Sequence, residues 1–183
     1  MVYRFTIISD EVDNFRREIQ IDSEATFLDL HNAILKSAGY SNDQMTSFFI
    51  CDDNWEKETE ITLEDMGTSS DMDSWIMEET PLEELLEDEK QHMLYIFDPL
   101  ADRAFFMELS EIITGKSLDE AVCTKSIGDA PQHVLDFDQL MAAQVATTTL
   151  DDTFGDDEGF DLDELDPDGF EMGSAEDFEN MLY

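Results

Sequence analysis

Glu164, Asp166, Asp168 and Gly169 have the spacing with which an EF-hand calcium loop begins. Such a loop needs acidic ligands at its first, third and fifth positions, Gly at the sixth and a bidentate Glu at the twelfth. Here the twelfth position is Ala175, Glu176 comes one residue late, and no incoming helix precedes the loop. A specific calcium site is therefore not expected. Paired carboxylates suit acid–base chemistry, but 47 Asp and Glu place pairs everywhere by chance, which reads as a solvated acidic surface. Cys51 and Cys123 lack metal-like or redox spacing, and no Gly-x-Ser-x-Gly elbow or Gly-rich phosphate loop occurs. Cys51 ends an apolar strand and is expected to be buried; Cys123 is expected in a loop. His31, His92 and His133 share no ligand spacing. His31 lies near the apolar face of a helix and reads as a packing residue. No catalytic residue, cofactor or metal is expected.

The charge says more. The chain carries a formal net charge of −38, which disfavours contact with nucleic-acid phosphates. All nine Lys and Arg lie at or before Lys125, so Ser126 to Tyr183 forms an acidic segment with none. Eleven of the 21 residues from Asp151 to Glu171 are acidic, yet Phe and Leu recur through them. Solvation alone does not call for Phe154, Phe160, Leu165, Phe170, Phe178 and Leu182 in such a tail. Acidic–hydrophobic alternation is typical of segments that dock on a partner, often in a basic-rimmed apolar groove.

The elements expected to position these residues form an α+β layer. "VYRFTII" and "FRREIQI" alternate and are joined by polar "SDEVDN", which predicts a hairpin. Arg16 and Arg17 then fall on opposite faces, and at least one is expected to pair with a carboxylate such as Glu18. Thr26 and Asp29 have capping-box spacing, and Gly39 stands where a C-terminal cap would, which predicts a helix from Phe27 to Ala38. "MTSFFIC", "EITL", "HMLYIFD" and "AFFMELSEI" read as strands. "TPLEELLEDEK" reads as a helix with Thr80 as N-cap and Pro81 at its first position. "VLDFDQLMAAQVA" reads as a further helix. The order suggests a β-grasp-like mixed sheet with packing helices and an acidic extension. The expected domains are 1–131 and 132–183.

The ordered set Phe15-Arg16-Arg17, Thr26, Leu30-His31, Gly39-Tyr40 and Phe48 or Phe49 resembles the plasmid pRiA4b ORF-3-like family. Tyr95, Phe97 and Asp98 match its following strand, so the resemblance spans roughly Val2 to Pro131. Its motif positions here are Arg16, Arg17, His31, Gly39, Tyr95 and Asp98. The family's next residues, Asp-Phe-Gly-Asp-x-Trp, are replaced after Asp98 by Pro99, Leu100 and Ala101. Its closing polar stretch is echoed only by Cys123, Gly128, Ala130 and Pro131. The resemblance implies a fold and a link to mobile elements, with no assigned activity.

These readings predict a non-enzymatic protein-interaction domain whose acidic–aromatic tail docks on a partner, a basic one by charge, or on its own domain. The alternatives are a nucleic-acid mimic that blocks a basic DNA-binding protein, and a degenerate enzyme-like or metal-binding domain. No apolar run approaches the ~20 residues a bilayer span needs, and the chain opens with a strand-like segment rather than a signal, so a cytoplasmic location is expected.

Overall fold

The computed structural model describes residues 1–65, 67 and 75–135. The chain divides into a unit Met1–Leu135 and a unit Asp136–Tyr183; the second lies outside the described residues. With it lie the helix expected in "VLDFDQLMAAQVA" from residue 136 on, and all six tail anchors.

The first unit is an α+β layer built on one eight-stranded sheet. Its strands are β1 (Val2–Ser9), β2 (Arg16–Asp22), β3 (Ser47–Cys51), β4 (Lys57–Thr62), β5 (Trp75–Ile76), β6 (His92–Asp98), β7 (Arg103–Ile113) and β8 (Val122–Ile127). They lie in the order β5-β4-β3-β6-β7-β1-β2-β8. Every pair is antiparallel except β4–β5.

Alternation decides the faces. Tyr3, Phe5 and Ile7 of β1, Ile19 and Ile21 of β2, and Phe105, Met107 and Leu109 of β7 are buried on one side. The helix α1 (Phe27–Ala38) covers that side with Phe27, Leu30, His31, Ile34 and Leu35. Burying each such aromatic or aliphatic side chain stabilises by about 1.5–3 kcal/mol. At the centre Phe105 meets Phe97 at 4.6 Å between ring centroids and stacks on Phe15 at 4.8 Å.

The local signals for α1 behave as the sequence predicts. Thr26 and Asp29 form the reciprocal capping box, and Gly39 takes the left-handed conformation at φ 72° that a residue with a Cβ adopts only with strain. The predicted second helix is cut short. It survives only as α2 (Leu82–Leu85), with Pro81 at its N-cap and no side-chain cap. Thr80 Oγ1 donates instead to the Ile76 carbonyl. The amides of Leu82 and Glu83 are taken by the carbonyls of Ala25 and Ser23, and the Phe27 amide donates to the Thr80 carbonyl. Tertiary bonds to the start of α1 thus satisfy donors that a longer helix would leave to a cap.

Two strands were not expected. β5 is only two residues long. β8 takes up "VCTKSI", so Cys123 lies exposed in an edge strand rather than in a loop.

Candidate functional site

Three side chains hold the stretch that leads from β8 to Leu135. Arg17 is buried on the helix side, and its guanidinium lies over the Phe15 ring at 4.4 Å. Its Nε donates to the Ser37 carbonyl at 3.0 Å, at the end of α1. Its Nη1 donates to the carbonyls of Ile127 at 2.6 Å and Arg16 at 3.1 Å, and its Nη2 to that of Gly128 at 3.0 Å. Tyr40 Oη donates to the Pro131 carbonyl at 2.6 Å. Arg103 Nη2 donates to the Gln132 carbonyl at 2.7 Å and its Nη1 to that of His133 at 3.3 Å. The carbonyls of Gly128, Pro131, Gln132 and His133 lie past the end of β8, outside the strand ladder, and these side chains supply their donors.

Arg103 is itself fixed from the other side. Its Nε and Nη2 reach both oxygens of Glu11 at 2.7 and 2.8 Å, and its Nη1 reaches Asp98 Oδ2 at 3.3 Å. The Glu11 hydrogen bonds, ahead of its charge and those of Asp98, raise the Arg103 pKa further. The His133 ring stacks on Tyr40 at 4.1 Å, within 1° of parallel. Burial pushes the Tyr40 phenol well above its ordinary range and pulls His133 below its own. Gly128 serves the same stretch. It has φ +68°, and a Cβ there would collide with the Asn14 carbonyl. Both facts demand glycine.

A second polar group lies wholly inside. His31 is fully buried; its Nε2 lies 3.1 Å from Asn42 Oδ1, and its Nδ1 lies 2.9 Å from Tyr95 Oη and 3.3 Å from Thr46 Oγ1. Asn42 Oδ1 accepts only, so the hydrogen-bond pattern assigns the proton to Nε2 and leaves Nδ1 to accept from Tyr95. Burial lowers the His31 pKa and raises that of Tyr95. His31, Thr46 and Tyr95 are buried while Asn42 reaches the surface, and the group ties α1 to β6.

Of the motif positions, only His31 and Tyr95 bond each other. Arg17 bonds the Ser37 carbonyl near the end of α1, Gly39 caps that helix, and Asp98 bonds Arg103. Arg16 stands apart on the opposite face, 2.8 Å from Glu18, the carboxylate pairing expected for one of the two arginines. The sequence reading missed Tyr40, Arg103, Glu11 and His133 as partners in this network. Arg17, Tyr40, Asp98, Gly128 and Pro131 were visible in that reading as positions of the family resemblance, without their contacts. Cys51 is buried, and burial raises its thiol pKa.

The opposite face carries neither helix. One row of neighbours crosses seven strands there: Ile127, Arg16, Ile8, Phe106, Leu94, Phe49 and Glu60. Cys51, Leu94 and Ile96 form a small second core on it with Phe49, Ala104 and Phe106. Trp55 joins them, stacked on His92 at 4.1 Å. Among the described residues no group of three or more His, Cys, Asp or Glu could hold a metal ion. No helix among them is long and apolar enough to cross a membrane.

An eight-stranded sheet with one long helix on one face, closed by Arg–carbonyl bonds and a buried His–Tyr bond, defines an α+β domain. The chain belongs to the plasmid pRiA4b ORF-3-like protein family, whose model matches residues 2–168. The fold is similar to the crystal structure of MM3350, a protein of unknown function from Methanosarcina mazei Go1. The TM-score is 0.53 at 18% identity, covering 85% of this chain and 84% of that one. No curated protein matches the chain.

Proposed function

We propose that this is a non-enzymatic protein-interaction domain, in which Met1–Leu135 is a rigid mount and the acidic–aromatic segment after it binds a basic protein partner. The observation that carries this reading is the clamp on Ile127, Gly128, Pro131, Gln132 and His133 by Arg17, Tyr40 and Arg103. It spends the donors of the motif arginine on main-chain carbonyls and fixes the residues just before Asp136. The enclosed His31–Tyr95 pair adds support, because its nitrogens already have partners. The hairpin β1–β2 followed by α1 is what supports the β-grasp-like part of the reading.

Phe160 and Phe170 are the leading anchors. The test titrates the full chain, and its Phe160→Ala/Phe170→Ala variant, with a core-histone mixture and with poly-lysine at low salt. Histone binding by the variant is expected to weaken by about tenfold or more, as for loss of aromatic anchors, with poly-lysine binding unchanged. Equal histone binding by both proteins contradicts the proposal. Displacement of DNA from the histones by the full chain would favour the mimic reading instead.

A further inference from the structure

β8 is the edge of the sheet. It pairs with β2 on one side and with no second strand among the described residues. All six of its residues are exposed, with Val122 at 46% and Ile127 at 44%. Edge strands are usually guarded by charge, proline, a bulge or a cover, because their free N–H and C=O groups template further pairing. β8 has no proline and one charge, Lys125. Its bulge lies opposite Glu18 and Ile19, which leaves Lys125–Ile127 as a regular stretch.

A cleft of about 250 Å³ adjoins the start of this edge, between α1 and the residues entering β8. Ile21, Ala33, Leu118 and Ala121 give it apolar walls, and its charged lining is four carboxylates, Asp22, Asp29, Asp119 and Glu120, against one cation, Lys36. An added strand sends alternate side chains to the helix side of the sheet, the side on which α1 walls this cleft. Charge selects the occupant. A second copy brings another −38. The chain beyond Lys125 has no Lys or Arg to offer.

We propose that β8 is a docking edge that takes an extended, cationic segment of a protein partner as a further strand, with an Arg or Lys side chain over the Asp119/Glu120 cleft. Main-chain bonds supply the affinity and the cleft supplies the preference for a cation. This surface is separate from the tail anchors, so either proposal can fail alone.

The probe is a synthetic peptide of alternating Arg and Val, added to the labelled full chain and followed by amide chemical shifts. A second peptide carries methyl groups on alternate backbone nitrogens, which removes donors without touching the protein. The plain peptide is expected to move the amides of residues 122–127, and the methylated one to bind about tenfold more weakly. Asp119→Asn/Glu120→Gln is expected to weaken the plain peptide several-fold, and Phe160→Ala/Phe170→Ala to leave it unchanged. Equal affinity of the two peptides, shifts centred away from β8, or no binding overturns the inference. Weakening by the Phe variant would place the peptide on the tail, which overturns this inference and leaves the proposed function standing. Intact β8 binding with unaltered histone binding by the Phe variant does the reverse.

Discussion

Arg16 and Arg17 are neighbours in one strand and do different work. Arg16 lies on the open face and makes an exposed ion pair with Glu18. Arg17 lies on the helix side and bonds four carbonyls from three separate parts of the chain. Phe105 and Phe106 repeat the contrast in β7: the first is fully buried among rings, the second half-buried beside Trp55 and opposite Ile8. The helix side is where polar groups are consumed in holding the chain together. The open face keeps paired charges around a modest apolar row. A motif residue's chemical type therefore says little about its role until its face is known.

The largest expected effect is at β7. Phe105→Ala should destabilise by about 4 kcal/mol, the usual range for a fully buried ring, and Phe106→Ala by about 1–2 kcal/mol. Urea unfolding of the two variants checks this, and equal losses would erase the distinction between the faces.

The arginine pair comes next. Arg17→Met should cost about 2–3 kcal/mol, because it removes a buried guanidinium that bonds four half-buried carbonyls. Arg16→Met should stay within about 0.5 kcal/mol, as exposed ion pairs do. A costly Arg16 variant would mean that the open face contributes more than its exposure suggests.

A smaller effect concerns pH. The folded state holds the His31 pKa below its ordinary 6.5 through burial. The unfolded chain then binds the extra proton first, so stability is lost as pH falls below about 6.5 and is unaffected above it. His31→Gln should cost about 2 kcal/mol at pH 7.5 by disturbing the bond to Tyr95. Its deficit relative to the parent should shrink as pH drops from 6.5 toward 5. A deficit that grows instead would require a charged His31 in the folded protein.

Much of the fold was legible where local rules are strong. Alternation marked β1 and β2, and Thr26, Asp29 and Gly39 bounded α1 to the residue. The apolar runs at β3, β6 and β7 stood out. β8 was hidden because "VCTKSI" is exposed along its whole length and is held by register with β2, a long-range feature without local periodicity. Thr80 misled because the amides it would cap are bonded across the fold. The clamp was illegible for a related reason. Arg17 reaches carbonyls 110 and 111 positions away, and any residue type presents a carbonyl.

Hydrogen exchange of the full chain, with and without the core-histone mixture, tests the central claim most directly. The account predicts that protection is gained between residues 151 and 182, with β8 the only part of Met1–Leu135 to follow. Protection gained instead around Arg17, His31, Tyr95 and Asp98 would contradict it, because those residues would then be binding a partner rather than holding the fold.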